Sequence, residues 1–475
     1  MDFIHVFSLC YNYIMNNKFK TFPNSNFKVD TFFRKPEYRS RINAAASTGD
    51  KKILTNEIRK INNSRFALYD KGYIRIKDIF QARWDIFKFI YQDKLAARPG
   101  LIDSIESFVS CQNLSKGYIY YQCPNCDNFH LMGLSCHSRL CPTCGKKYKD
   151  QRTIKVSEKC LNIPHRQFVF TIPDDFRNYF LKDRKLLNVL FDSVKDTLNF
   201  TLDYHTPKCR KYEKRKLGFI SFLHTFGRDL KWNPHIHVLL AEAYLTSDNK
   251  LVKYDFFSFE FVRKSFQNFL FNNMYNYMKM NNYPSKEKSD FYLLCQKLRS
   301  KHDKGFYVYG KKNKNCKTIK DVTSLTNYIA RYASHPAISE RRIINVDFLN
   351  NLVTWYYDPH EDDDIEDTSL KMGRQVITES IDSFMIKLIR HIPNKGFQQI
   401  RYYGFYSNKF KHKVTNNNLL TDAQLTKMIH NTYWIESLLN TFGYNPILCE
   451  CGHEMFVNYL MSVFPTSKGP PYEKT

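Results

Sequence analysis

Two cysteine pairs of the form C-x2-C, Cys123-Pro-Asn-Cys126 and Cys141-Pro-Thr-Cys144, are separated by a 14-residue spacer. Thiolates are strong, soft ligands, and two such knuckles supply four sulfurs for a tetrahedral zinc site; Gly145 permits the tight turn after the second pair. The expected ligands are Cys123, Cys126, Cys141 and Cys144, with Cys136 able to replace one of them, and His130 or His137 facing solvent or phosphate. Four thiolates leave no open position for water, so this zinc is expected to be structural. An inert buried thiol is the ordinary reading of any one cysteine, but five between Cys123 and Cys144 argue against it. Lys146, Lys147, Lys149 and Arg152 follow directly, as a helix contacting phosphates would require, although a basic solvent-facing helix would look the same.

A second group is Trp232-Asn233-Pro234-His235-Ile236-His237-Val238. On a strand, alternate side chains share a face, so His235 and His237 point the same way with Cα atoms about 6.6 Å apart, and Ile236 points into the core. Two imidazoles so placed can share one metal ion, whereas a pair of polar-face histidines is the ordinary alternative. His224 ends the preceding apolar strand and can approach the same ion across a hairpin; His360, in an acidic loop, is a further candidate. A third group is Tyr328-Ile329-Ala330-Arg331-Tyr332, closed by Pro336. Spacing of i and i+4 puts both phenols on one helical face. Leu325, Tyr328, Ile329 and Tyr332 also fit a plain core stripe.

These groups need positioning elements. Helices are expected over Ile53 to Ile61, Ile79 to Leu95, Leu101 to Cys111, Lys185 to Leu202, Val262 to Lys279 and Thr323 to Ala333. Strands are expected over Arg166 to Pro173, Leu217 to Phe226 and His235 to Ala241, antiparallel by proximity. The pattern is α+β, helices around a small antiparallel sheet, preceded by a small cysteine-rich unit. The expected division is 1–95, a basic region without assignable chemistry; 96–155, a zinc-binding DNA-recognition domain; 156–412, a catalytic domain; and 413–475, a tail carrying Cys449 and Cys451.

The chain has 475 residues, with 72 Lys and Arg against 46 Asp and Glu, a net charge of +26. That imbalance points to a polyanion as partner. The run Phe3 to Asn17 is shorter than the ~20 apolar residues of a membrane span and lacks the features of a signal peptide, so a cytoplasmic, DNA-associated protein without a membrane partner is expected. Seven of the 13 cysteines fall in two clusters, Cys123 to Cys144 and Cys449 to Cys451, which is metal-ligand rather than disulfide behaviour. Aromatic residues make up 16%; exposed ones could stack on unpaired bases, but an AT-rich coding bias toward Phe, Tyr, Lys and Asn accounts for most.

The order of cysteine cluster, H-U-H (U hydrophobic) and Y-x3-Y resembles the two-tyrosine HUH transposases of rolling-circle insertion sequences, the insertion-sequence-91 family. The resemblance covers most of the chain: the zinc segment, Ile163 to Arg166, Phe168 to Pro173, HTFGRDLKWNPHIH over His224 to His237, YIARY over Tyr328 to Tyr332, and IPNKGFQQIRYYGFY over Ile392 to Tyr406. Residues 1 to about 75 match nothing assignable. Cys449-Glu-Cys451 looks like the family's C-terminal cysteine pair with one residue missing from the spacing. The resemblance implies the HUH-endonuclease fold and a bacterial transposase. It would nick and rejoin single-stranded DNA at element ends and target site through a 5′-phosphotyrosine on Tyr328 or Tyr332. Mg2+ or Mn2+ would be held by His235 and His237, with His224 as a further ligand, and Arg331 would touch the cut strand or face solvent. A plasmid replication initiator or relaxase shares this chemistry, and a non-catalytic zinc DNA-binding protein is the third reading.

Overall fold

The computed structural model describes residues 74–206 apart from 127, 158 and 162, then 215–310, 336–359, 373–408 and 445–464 apart from 446, with scattered positions between 40 and 57. The expected helix Thr323 to Ala333 with Tyr328, Arg331 and Tyr332, and the loop residue His360, lie outside the described residues.

Along the chain run helices α1 (Ile76–Ile90), α2 (Gln92–Ala96) and α3 (Leu101–Val109), strands β1 (Tyr118–Gln122) and β2 (Phe129–Gly133), and helix α4 (Pro142–Ser157). Then come β3 (His165–Thr171), α5 (Asp174–Lys182), α6 (Leu186–His205), β4 (Lys216–Phe226), β5 (Trp232–Leu245), β6 (Leu251–Lys253), α7 (Phe259–Met280), α8 (Ser285–Lys301) and β7 (Val308–Tyr309). The remainder is β8 (Ile343–Asp347), β9 (Leu352–Tyr357), β10 (Gln375–Ser380), α9 (Ile381–Arg390), β11 (Ile400–Tyr403) and β12 (Phe456–Val457). The class is α+β, and every strand pairing in the ladders is antiparallel.

The described residues fall into two compact units, one drawn from 146–337 and 393–433, the other from 1–145, 338–392 and 434–475. In the first, a six-stranded sheet runs in the order β11-β4-β5-β3-β7, with β6 also on β5. Phe168 and Phe170 of β3 and Ile236, Val238 and Leu240 of β5 point to one face, where α5, α6, α7 and α8 pack a core rich in phenylalanine. Phe170 meets Phe266 of α7 edge to face at 5.1 Å, a favourable ring geometry. Ten or so buried phenylalanines fill this layer, so the aromatic excess is in good part core rather than surface. The alternate positions of the same strands turn to the opposite face, where Ile220, Phe222, Leu239 and Ala241 pack with Phe405 and Tyr406 at one end.

In the second unit, β12-β1-β2 and β10-β9-β8 form two three-stranded sheets. Helix α1 presents Ile76, Ile79, Phe80, Trp84 and Phe87 as one buried stripe, the spacing of an amphipathic helix. Arg83 forks onto Asp382 of α9 at 2.8 and 3.0 Å, and Arg98 donates to the carbonyl of Ile389 at 3.1 Å. Residues 76–96 belong with the cysteine-rich segment, and 338–392, assigned to the catalytic domain, pack in the same unit because Trp355 is buried against Phe384 beside α1's ion-pair partner. Residues 445–464 join them through β12, which pairs Tyr121↔Val457 and Gln122↔Phe456.

Candidate functional site

β4 and β5 form the hairpin that carries three histidines. Gly227 to Lys231 make the turn, and His224 stands directly opposite His235, with Phe222 opposite His237. Pro234 cannot donate to a ladder, and it sits where β4 shifts register between His224 and Phe226, just beyond the last β3 pair, Thr171↔His235. The period-two alternation then sets His235 and His237 on the face away from the helical layer. Ring centroids are 4.0 Å apart for His224 and His237, 5.0 Å for His235 and His237, and 5.2 Å for His224 and His235. One ring nitrogen from each lies within 4.8 Å of the others.

Burial pushes the His235 imidazole down to about 4, against a weaker opposing hydrogen bond to Asn233. Burial likewise holds His237 well below its ordinary value, with His235 adding to the effect. Both rings are neutral at pH 7, as imidazole ligands must be. His235 Nδ1 donates to the carbonyl of Asn233 at 2.7 Å, which fixes the tautomer and leaves Nε2 as the ligand atom. The Gln167 side-chain amide of β3 stands 3.0 Å from His237 Nδ1 and holds that ring in place. The donor set fits a divalent cation. Gln167 had no place in the sequence reading. Its only signal there is the period of two, which puts it on the same face of β3 as Val169, the residue opposite His237.

The cysteines gather differently from expectation. Cys123, Cys126, Cys141 and Cys144 do not share one cluster: Cys111, Cys136, Cys141 and Cys144 form one group, and Cys123 and Cys126 stand in another with Cys449 and Cys451. The reason is the β1-β2 hairpin. Cys123 and Cys126 form its turn, whereas Cys136 and the second knuckle lie beyond the far end of β2, about 17 Å away for five residues of strand. Cys111 joins the second knuckle because Gln112, at φ 56°, hydrogen-bonds through its N–H to Leu134 at 2.8 Å. A Cβ on Gly133 would lie 2.6 Å from the Gln112 backbone, so only glycine allows this approach.

In the first group, Cys111 Sγ is 3.7 Å from Cys141 Sγ and 3.8 Å from Cys144 Sγ, and Cys136 Sγ is 3.7 Å from Cys144 Sγ. Hydrogen bonds from Cys111, Cys136 and Cys141 pull the Cys144 thiol well below its usual range, while the bond to Cys111 pushes Cys136 and Cys141 up. Hydrogen bonds with Cys136 and Cys141 lower the Cys111 thiol as well, so two thiolates are favoured at the expense of the other two, a conflict that a divalent cation among four sulfurs removes. His130 is buried on β2 against Tyr121, and His137 follows Cys136 at φ 56°; neither belongs to a cysteine group. Of the basic residues on α4, Lys146 is exposed and Lys147 half-buried, and burial lowers the Arg152 guanidinium.

Comparison with known proteins gives two domain matches. Residues 79–172 match the family described as transposase zinc-binding domain, and 218–413 the family described as putative transposase. The first contains all of Cys111, Cys136, Cys141 and Cys144, the second all three histidines. The chain is 25% identical over 363 residues to the transposase for insertion sequence element IS801 of Pseudomonas savastanoi pv. phaseolicola, covering 73% of this chain and 81% of that protein. It is 22% identical over 353 residues to the putative transposase y4qJ of Sinorhizobium fredii, covering 71% and 81%. No solved structure matches. The chain belongs to the insertion-sequence-91 family of transposases, with an N-terminal zinc-binding domain ahead of its transposase domain.

Proposed function

We propose that this transposase nicks and rejoins single-stranded DNA at the ends of its element and at the target site, through a 5′-phosphotyrosine intermediate, and so drives rolling-circle transposition. The observation that carries the reading is the convergence of His224, His235 and His237, all on the sheet face away from the helical layer. Bound by their three nitrogens, a divalent cation would neutralise a non-bridging phosphate oxygen and make phosphorus more electrophilic. Mg2+ and Mn2+ are the ions of such sites, and nitrogen donors favour Mn2+ of the two.

The nucleophile is the phenol of Tyr328 or Tyr332. Its oxygen bonds to phosphorus as the 3′ oxygen leaves, so one phosphodiester is exchanged for another and rejoining requires no nucleotide cofactor. The second phenol permits a second transfer while the first is loaded. His235 and His237, neutral and held by Asn233 and Gln167, orient the strand without reorganising during the reaction. Arg331, next to Tyr332 in the sequence, would supply a positive charge to the phosphate of the cut strand, and exposed Lys146, with Lys147 and Arg152 on the same helix, would supply phosphate contacts for end recognition. A DNA-associated, cytoplasmic location follows from that substrate; among the described residues no helix is long and apolar enough to cross a membrane. Replication initiators and relaxases share this chemistry, but both relatives are described as transposases.

The test is incubation with single-stranded DNA bearing an element end plus Mn2+, followed by a denaturing gel. A protein-linked 5′ end is expected. It should vanish in the Tyr328→Phe, Tyr332→Phe double variant, and in His235→Ala with DNA binding retained. An adduct in the double Phe variant would refute the nucleophile assignment.

A further inference from the structure

The second cysteine group takes half its members from outside both matched domains. Cys123 and Cys126 lie in the turn between β1 and β2, and Cys449 and Cys451 in a turn just before β12. Cys123 Sγ is 3.5 Å from Cys451 Sγ, and Cys126 Sγ is 3.6 Å from both Cys449 Sγ and Cys451 Sγ. A disulfide would bring two sulfurs to about 2.05 Å. Four thiolates on Zn2+, at about 2.3 Å each, form a tetrahedron with edges of about 3.8 Å. The observed group has the second geometry.

We propose that Cys123, Cys126, Cys449 and Cys451 bind a second structural zinc ion, distinct from the one within the zinc-binding domain, and that this ion clamps the C-terminal segment onto β1. The surroundings are built for it. The Asn125 N–H donates to Cys123 Sγ at 3.4 Å and the Asn128 amide to Cys449 Sγ at 3.6 Å, the outer-shell bonds that orient thiolate ligands. Gly452, at φ 87°, turns the chain so that its N–H reaches the Cys449 carbonyl at 3.0 Å, which accommodates the C-x-C spacing. Tyr121, Met455, Ile119, Ile447 and Val457 pack around Cys123, Cys126 and Cys449, while Cys451 closes the group on its exposed side. Strand pairing fixes the two turns against each other, since the Asn458 N–H donates to Tyr120 O at 2.8 Å and the Tyr120 N–H to Ser462 Oγ at 3.0 Å.

The ligands are far apart in the chain, 328 residues for Cys123 and Cys451 and 323 for Cys126 and Cys449. The ion therefore closes a loop that contains the whole transposase domain. This inference does not depend on the strand-transfer chemistry proposed above. Elemental analysis of the purified full-length chain should find two zinc ions, and one in the Cys449→Ser, Cys451→Ser variant. One zinc in the parent protein, or equal zinc in parent and variant, would overturn the proposal. If the variant is insoluble, alkylation of the parent protein with iodoacetamide and peptide mapping decides. Cys449 and Cys451 should resist modification until a chelator is added, together with Cys123 and Cys126. Modification before chelation refutes the site, as does protection lifted by a reductant alone, which would mean a disulfide.

Discussion

His165 gives a sharp pH test of how the sheet is built. It sits on β3, on the same face as Gln167, and is 2% exposed. Its Nδ1 donates to Ile163 O at 2.8 Å, and its Nε2 accepts from the Tyr406 hydroxyl at 2.6 Å. Burial lowers the imidazole from 6.5 to about 4 in the folded protein. As pH falls, the unfolded chain therefore takes up the proton first, and stability present at neutrality is lost from about pH 6.5 downward until the folded state also protonates near 4. At 1.36 kcal/mol per decade the full loss is roughly 3 kcal/mol, of which about 2 kcal/mol is gone by pH 5. In His165→Gln the side-chain oxygen still accepts from Tyr406, but nothing titrates. The assay is peptide-resolved hydrogen exchange of the β3 and β5 segments, corrected for the intrinsic pH dependence of exchange. The parent protein should hold an advantage at pH 7.5 that shrinks by about 2 kcal/mol at pH 5. A gap that stays constant between those pH values would refute the reasoning.

Two further outcomes test the site and its scaffold. Gln167→Ala should weaken Mn2+ binding by about 10- to 100-fold, the usual effect of removing an outer-shell partner, while leaving thermal unfolding of the cation-free protein nearly unchanged; Mn2+ titration followed by electron paramagnetic resonance reads it, and an unaltered affinity would count against Gln167 as the orienting group. Gly404 has φ 58°, and a Cβ there would lie 1.7 Å from the Leu217 carbonyl oxygen. Gly404→Ala should cost at least roughly 2 kcal/mol and loosen β11 from β4, seen as faster exchange of Ile400 to Tyr403; protection equal to the parent's would contradict the close approach.

The histidine constellation was legible because it is local. Three rings on one hairpin follow from the period of two and a short turn, and both can be read along the sequence. The cysteines were legible as metal ligands but not as sets of four. Each C-x2-C pair looks like half of one site, yet a hairpin stands between them, and the completing partners are Cys111, at the end of a helix, and Cys449 with Cys451, hundreds of residues away. Spacing carries no information about such partners. The sheet β8-β9-β10 was also missed. β9 carries the strand-forming run Leu352 to Tyr357, but its partner β10 alternates half-buried with exposed residues over most of its length, so no apolar run announces that strand. The division into units was hidden for a related reason: Arg83 with Asp382 and β1 with β12 are contacts between segments that no local composition change marks.

The place of β12 at the edge of β1 has a consequence for synthesis. Gln122 must wait for Asn458, 336 residues later, before its side-chain bond at 3.0 Å can form. At about 5 to 20 residues per second on the ribosome, that wait is roughly 20 to 70 s. Until then β1 offers an open strand edge, with Cys123 and Cys126 beside it and their two C-terminal partners not yet made, the kind of surface that pairs with other nascent chains. Messages truncated near the 3′ end should accordingly yield products that aggregate through the first-made part of the polypeptide, even though the missing residues come from the last.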